Sequence, residues 1–242
     1  MIQILFYASV SITTKAQIKP FHEINFCGEV LPISKKYVAE NYLNVVKKLI
    51  KHKGNVPAMY QRAMLYFPVI IPILRHYGIP DDFKYVAVIE SNFKNITSSA
   101  GAAGVWQIME VVSQDIGGIK IDKTKGIDER EDIIKSTICA CKYFIFLYKR
   151  LHSWTLVAAA YNGGIGMISR KIKKAGTRDY YLMSLNKETA EYGLKISAVK
   201  ELFENHTNLE KVLFNKNYKI DTLKEVGKIR DTDKKFNSIN LH

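Results

Sequence analysis

Apolar residues recur at three- and four-residue spacing through most of this 242-residue chain, and nowhere do they alternate over a convincing length. Helices are therefore the elements that can bury them. From Tyr37 to His52 the series Val38, Tyr42, Val45, Val46, Leu49 and Ile50 predicts an amphipathic helix. A second is expected to begin near Pro68, whose missing N–H suits a first turn, and to stop at Gly78 before Pro80. A third follows Asp81 as N-cap and runs through Tyr85, Val88 and Ile89 to Glu90 and Ser91. Asn92 to Gly101, rich in Asn, Ser and Thr, reads as a loop, after which Ala102, Val105, Trp106 and Met109 predict a helix from Gly101 to Ile116. Further helices are expected from about Asp132 to Arg150, Trp154 to Tyr161 and Lys187 to Phe203. The class is all-α, with room for a small β-hairpin. The 47% apolar content is enough for one compact core.

The ends of the chain read differently. Ile2 to Ile12 carries no charge, and Thr14-Lys15-Ala16 offers small residues where a signal peptidase reads, so residues 1–16 are expected to be an export signal. That run falls short of the ~18 to 20 apolar residues a membrane span needs. Residues 17–34 are taken as an N-terminal extension, 35–207 as the main domain, and the polar, Lys-rich residues 208–242 as a basic C-terminal extension. Phe26, directly before Cys27, is too bulky for a lipidated cysteine site. Cys139 and Cys141 sit two apart on a helix, where side chains diverge by roughly 200°, so buried free thiols are expected rather than a disulfide. No Cys/His spacing resembles a zinc site. The net charge of +13 points to a polyanionic partner, for which nucleic acid, anionic lipid and bacterial wall all qualify. No basic-aromatic motif of a nucleic-acid binder is present.

The residue that draws attention is Glu90, which closes an apolar helix just before a polar loop. A carboxyl group lodged against apolar neighbours resists ionisation, so it can hold a proton near neutral pH and deliver it to an oxygen. Alone, a Glu at a helix end is ordinarily a solvated or capping carboxylate.

Glu90-Ser91, then Ser99-Ala100-Gly101-Ala102-Ala103-Gly104-Val105-Trp106-Gln107-Ile108-Met109, then Ala160-Tyr161-Asn162-Gly163-Gly164 form an ordered set. Together they resemble the lytic transglycosylases of the goose-type-lysozyme-like (SLT) superfamily, specifically the membrane-bound transglycosylase D branch. Tyr77-Gly78-Ile79-Pro80 and Lys187-Glu188-Thr189-Ala190-Glu191-Tyr192 resemble that family's flanking motifs, and the similarity covers roughly residues 35 to 205. The resemblance implies a lysozyme-like helical domain with a substrate groove, in which Glu90 is the acid/base. It also implies that Ser99, Gln107 and Met109 line the glycan groove, that Tyr161 sits opposite Glu90 while Asn162 shapes its turn, and that Glu188 and Tyr192 close the cleft. Two positions depart from the pattern: Gly163 replaces the usual Ala, loosening the turn, and Gly193 replaces the usual Val, weakening the closing helix. The LysM wall-binding modules common in that branch are not evident in this sequence.

For function, the resemblance implies peptidoglycan cleavage with one carboxylate where a typical glycosidase has two. The C6 hydroxyl of N-acetylmuramic acid would attack its own C1, leaving a 1,6-anhydro end. Glycan strands are the expected partner, with peripheral wall or membrane association, a periplasmic or envelope location, a monomeric state, and no metal or organic cofactor. Alternatives are a muramidase in which Asp115, Asp122 or Asp128 positions water, and a non-catalytic wall-binding protein.

Overall fold

The structure, a computed structural model, describes residues 24–51 and 55–204. The export signal and the C-terminal extension read from the sequence lie outside those residues. The order is β1 (Asn25–Phe26), β2 (Glu29–Val30), α1 (Lys36–Lys51), α2 (Asn55–His76), α3 (Lys84–Ser91), α4 (Glu110–Val112), β3 (Ile121–Asp122), β4 (Ile127–Asp128), α5 (Ile133–Leu151), α6 (Trp154–Gly163), α7 (Ile165–Ala175) and α8 (Lys187–Glu204). The fold is mainly α, with two small antiparallel hairpins, β1–β2 and β3–β4.

Helix α5 is the centre of the assembly, packed between α2 and α6, while α8 lies across α1, α3 and α6. Asp132 caps α5 by accepting from the N–H groups of Ile134 and Lys135 at 2.9 and 3.0 Å. Phe144, fully buried on α5, gathers the core around it: Phe83 stands 4.4 Å from its ring centroid, Tyr161 5.0 Å and Trp106 5.8 Å. Burying a ring of that size is worth about 2–3 kcal/mol. Cys139 and Cys141 are buried and free, as the spacing predicts.

Three expectations are corrected. Helix α2 begins at Asn55 rather than near Pro68, and runs through both Pro68 and Pro72. These prolines are four apart and exposed, so the carbonyls they leave unpaired, those of Met64 and Pro68, fall on the solvent side where water satisfies them. Residues 101 to 109 are not helical, because Gly101, Gly104 and Gln107 all take positive φ (84°, 76° and 49°); short bridges Thr97–Ala103 and Ala103–Ile108 organise the stretch instead. Asp81 does not cap α3; it opens a short 3-10 turn and its carboxylate binds Arg75 at 2.6 Å. Helix α7 is an element that the sequence reading lacked. It follows Gly164 and packs its Ile168 face inward.

The β1–β2 hairpin ties distant parts together. Its turn, Cys27-Gly28, has φ of 53° and 78°, both in the left-handed region that two-residue hairpin turns favour. Phe26 inserts against Phe83. The Cys27 N–H donates to Asp82 Oδ2 at 2.8 Å, the same oxygen that Lys200 Nζ reaches at 2.7 Å. Glu29 meets the start of α6, taking hydrogen bonds from Ser153 Oγ and the Thr155 N–H. A carboxylate there is favoured by the unpaired N–H groups of a helix N-terminus.

Candidate active site

Glu90 occupies the last turn of α3, where three features fix the helix end. Asn92 takes the left-handed conformation (φ 53°, ψ 35°) and returns its N–H to Val88 O, an ending that Asn tolerates better than most residues. Arg62 Nε donates to Asn92 O at 2.7 Å. The buried Ser91 hydroxyl donates to Val105 O at 2.7 Å, stapling the helix end to the turn that carries Trp106 and Gln107.

That turn is held from below by Arg130, whose side chain is 4% exposed. Its guanidinium grips Asp128 through two parallel contacts and donates from Nη1 to Gly101 O at 2.7 Å and Ile108 O at 3.0 Å. The backbone of Arg130 presses so close to Gly104 that a Cβ there would sit 1.9 Å from the Arg130 carbonyl oxygen. Trp106, fully buried, donates its indole N–H to Thr137 Oγ1 at 2.9 Å.

Against this frame the Glu90 carboxyl is half-buried and accepts a hydrogen bond from the hydroxyl of Tyr192, a buried residue of α8. Burial pushes the Glu90 pKa up to about 7; the Tyr192 hydrogen bond opposes the shift, the Glu188 charge adds to it and the Lys195 charge opposes it. At neutral pH about half the molecules then carry the proton. Glu90 can act both as acid and, once deprotonated, as base.

Tyr161 projects from α6 with its ring against Phe144 and Tyr143, and its hydroxyl donates to Trp106 O at 2.7 Å. Burial drives its pKa well up, and the Glu90 charge adds to the shift. Asn162 bridges α6 to α8, donating to Glu188 Oε1 at 3.0 Å and accepting from Thr189 Oγ1 at 2.9 Å. Gln107 spends its amide hydrogens on Ile96 O and Gly104 O, so it braces its own turn. Ser99 is exposed in the Ser98–Gly101 turn, and Met109 is exposed just before α4.

Both departures from the family pattern acquire a physical reason. Gly163 lies within α6, and a Cβ there would meet Met167 Cε at 2.3 Å and Thr189 Oγ1 at 2.9 Å, so the missing side chain lets α8 approach rather than loosening a turn. Helix α8 continues unbroken through Gly193, where a Cβ would stand 3.2 Å from the buried Tyr180 ring, and its N–H donates to the Tyr180 hydroxyl. Arg130, Lys195 and Thr189 are absent from the sequence-based set of site residues. The Asp128 pair of Arg130 is local, but the carbonyls that make Arg130 part of the site frame lie 29 and 22 residues away, beyond any local signal. Among the described residues no group of three His, Cys, Asp or Glu side chains could hold a metal ion, and no helix is long and apolar enough to cross a membrane.

The model of the transglycosylase SLT domain matches residues 70–204. The chain belongs to this family. Membrane-bound lytic murein transglycosylase D of Escherichia coli (strain K12) is 29% identical over 165 residues, which cover 66% of this chain and 36% of that protein. A protein of Alteromonas sp. (strain M-1) named for tributyltin chloride resistance is 29% identical over 113 residues, 46% of this chain and 53% of its own length. This SLT-domain chain thus spans about a third of the E. coli relative it matches.

Proposed function

We propose that the protein is a peptidoglycan lytic transglycosylase in which Glu90 is the single acid/base. The observation that carries the reading is the half-buried Glu90 carboxyl, poised near neutrality and oriented by the Tyr192 hydroxyl, at the point where the Ser91, Trp106 and Tyr161 segments converge.

In the proposed reaction Glu90 gives its proton to the oxygen joining C1 of N-acetylmuramic acid to the next sugar, and the C1–O bond breaks. The C6 hydroxyl of the same residue then bonds to C1 and loses its proton to Glu90. No water is consumed, and the product end is 1,6-anhydromuramic acid. An internal hydroxyl held this way has an effective concentration on the order of 10⁵ M or more, which removes the need for a second carboxylate to activate water. Two of the three aspartates that a muramidase would draw on are engaged elsewhere, Asp128 in the Arg130 fork and Asp122 with Thr124 and the Lys125 N–H, and the third, Asp115, is exposed. Ser99, Gln107, Met109 and Asn162 are proposed to border the glycan, with Glu188 and Tyr192 closing the cleft. The basic surface suits an anionic wall, and the proposed location is the periplasm or cell envelope.

Mass spectrometry of muropeptides released from purified peptidoglycan tests the proposal. Anhydromuramyl ends released by wild type and not by Glu90→Gln support it. Reducing ends point to a muramidase, and no release by either protein overturns an enzymatic role.

A further inference from the structure

A seam between α1 and α8 leads away from Glu90. It begins with an apolar cleft of about 350 Å³ walled by Val45, Leu49, Val88, Ile89 and Val199, with Lys48 and Lys195 also in its wall. Ile89 precedes Glu90 on α3, and Lys195, whose charge acts on the Glu90 carboxyl, lies one turn beyond Tyr192 on α8, so the cleft is built on the same two helices as the acid. Sharing Lys48 with it is a polar depression of about 420 Å³ lined by Asn41, Asn44, Lys47, Lys187 and Glu191. A third hollow, sharing Asn41, reaches Tyr37 and Tyr181. Ser99, Gln107, Met109, Tyr161 and Asn162, the residues assigned to the glycan and its turn, line none of the three. Moreover α1 lies before the stretch that matches the family model.

The chemistry of the seam is that of a site for an anionic peptide. Four lysines face one carboxylate: Glu191 takes Lys48 at 3.3 Å and Lys195 at 3.9 Å, while Lys47 and Lys187 have no acidic partner among the described residues. Asn41 and Asn44 are exposed and present amides, which both donate and accept as peptide groups require. The apolar cleft suits small alkyl side chains. In peptidoglycan the component with this chemistry is the peptide stem, which carries free carboxylates and leaves the muramyl residue sideways at C3, close to the carbon that Glu90 acts on.

Resting on the transglycosylase reading, we propose that the α1–α8 seam holds the peptide stem of the muramyl residue being cleaved and favours peptide-bearing over denuded strands. The first test is an NMR titration of the full chain with free stem tetrapeptide, which needs no turnover. Shifts confined to amides of α1 and α8 are expected, and their absence overturns the proposal. The second is kcat/KM on peptide-bearing strands divided by kcat/KM on amidase-treated, peptide-free strands. For Lys47→Glu/Lys187→Glu, both exposed sites, that ratio is expected to fall about tenfold, the effect of two exposed ion pairs lost. An unchanged ratio overturns the proposal. Failure of wild type to cleave either strand would instead sink the transglycosylase reading, while the titration still reports on the seam.

Discussion

Tyr192, buried on α8, donates its hydroxyl hydrogen to Glu90 at the end of α3, so the proposed acid is oriented by a helix that arrives about a hundred residues later in the chain. The bond favours the ionised carboxylate and restrains the rise that burial imposes on its pKa.

Tyr192→Phe removes the donor without changing the ring. The Glu90 pKa is then expected to climb above about 7, and the basic limb of the kcat/KM profile on peptidoglycan moves to higher pH. The rate itself should fall roughly 10- to 100-fold as orientation is lost. A fall in rate with an unmoved limb would show that Tyr192 acts on packing alone.

Glu90 also links stability to pH. Its folded pKa of about 7 lies above the ordinary glutamate value of 4.5, so the folded state holds the proton more tightly than the unfolded one. No penalty exists below pH 4.5; it grows as pH rises and is complete above pH 7. Glu90→Gln removes it, and should match wild type in urea denaturation at about pH 4 yet exceed it by about 2–3 kcal/mol at about pH 8. Equal differences at both pH values would contradict the raised pKa.

How much of this was legible beforehand depended on the range over which each residue acts. Asp132 as a helix start and the buried helix read from Trp154 to Tyr161, which extends to Gly163, are local patterns legible from a few neighbours. The Gly101–Ile116 stretch misled because its apolar spacing is helical, while its conformation is set by positive φ at Gly101, Gly104 and Gln107 and by Arg130 beneath. Pro68 misled because a proline is tolerated inside a helix when its face is exposed. Glu90 and Tyr192 stand in recognisable motifs, but their direct bond depends on how α3 and α8 pack, which no spacing in the sequence records.

Two glycines of the same turn separate strain from collision. Gly101 (φ 84°) has nothing within 4 Å of where a Cβ would stand, so Gly101→Ala should cost only the left-handed penalty, about 1–2 kcal/mol. Gly104 (φ 76°) carries that penalty and a Cβ contact of 1.9 Å with Arg130 backbone, which cannot swing aside as a side chain can. Gly104→Ala is therefore expected to cost about 4 kcal/mol or more in thermal or urea unfolding. Similar losses at the two positions would refute the close approach.

Arg130 offers the sharpest separation of charge from geometry. Its fork neutralises Asp128, and Nη1 satisfies the carbonyls of Gly101 and Ile108 on either side of the turn. Lysine keeps the charge but has one compact ammonium, which cannot serve Asp128 and two carbonyls in a plane. Arg130→Lys should therefore lose about 2–3 kcal/mol, and Arg130→Met, which also strands Asp128, about 3–5 kcal/mol. Adding Asp128→Asn to Arg130→Met should recover part of that loss, since the stranded charge is gone while the carbonyls stay unpaired. Because Ser91 anchors the Glu90 helix end to Val105 in this same turn, peptidoglycan cleavage should fall in Arg130→Lys at temperatures where the protein remains folded. Full activity in folded Arg130→Lys would mean that the turn does not position the Glu90 site.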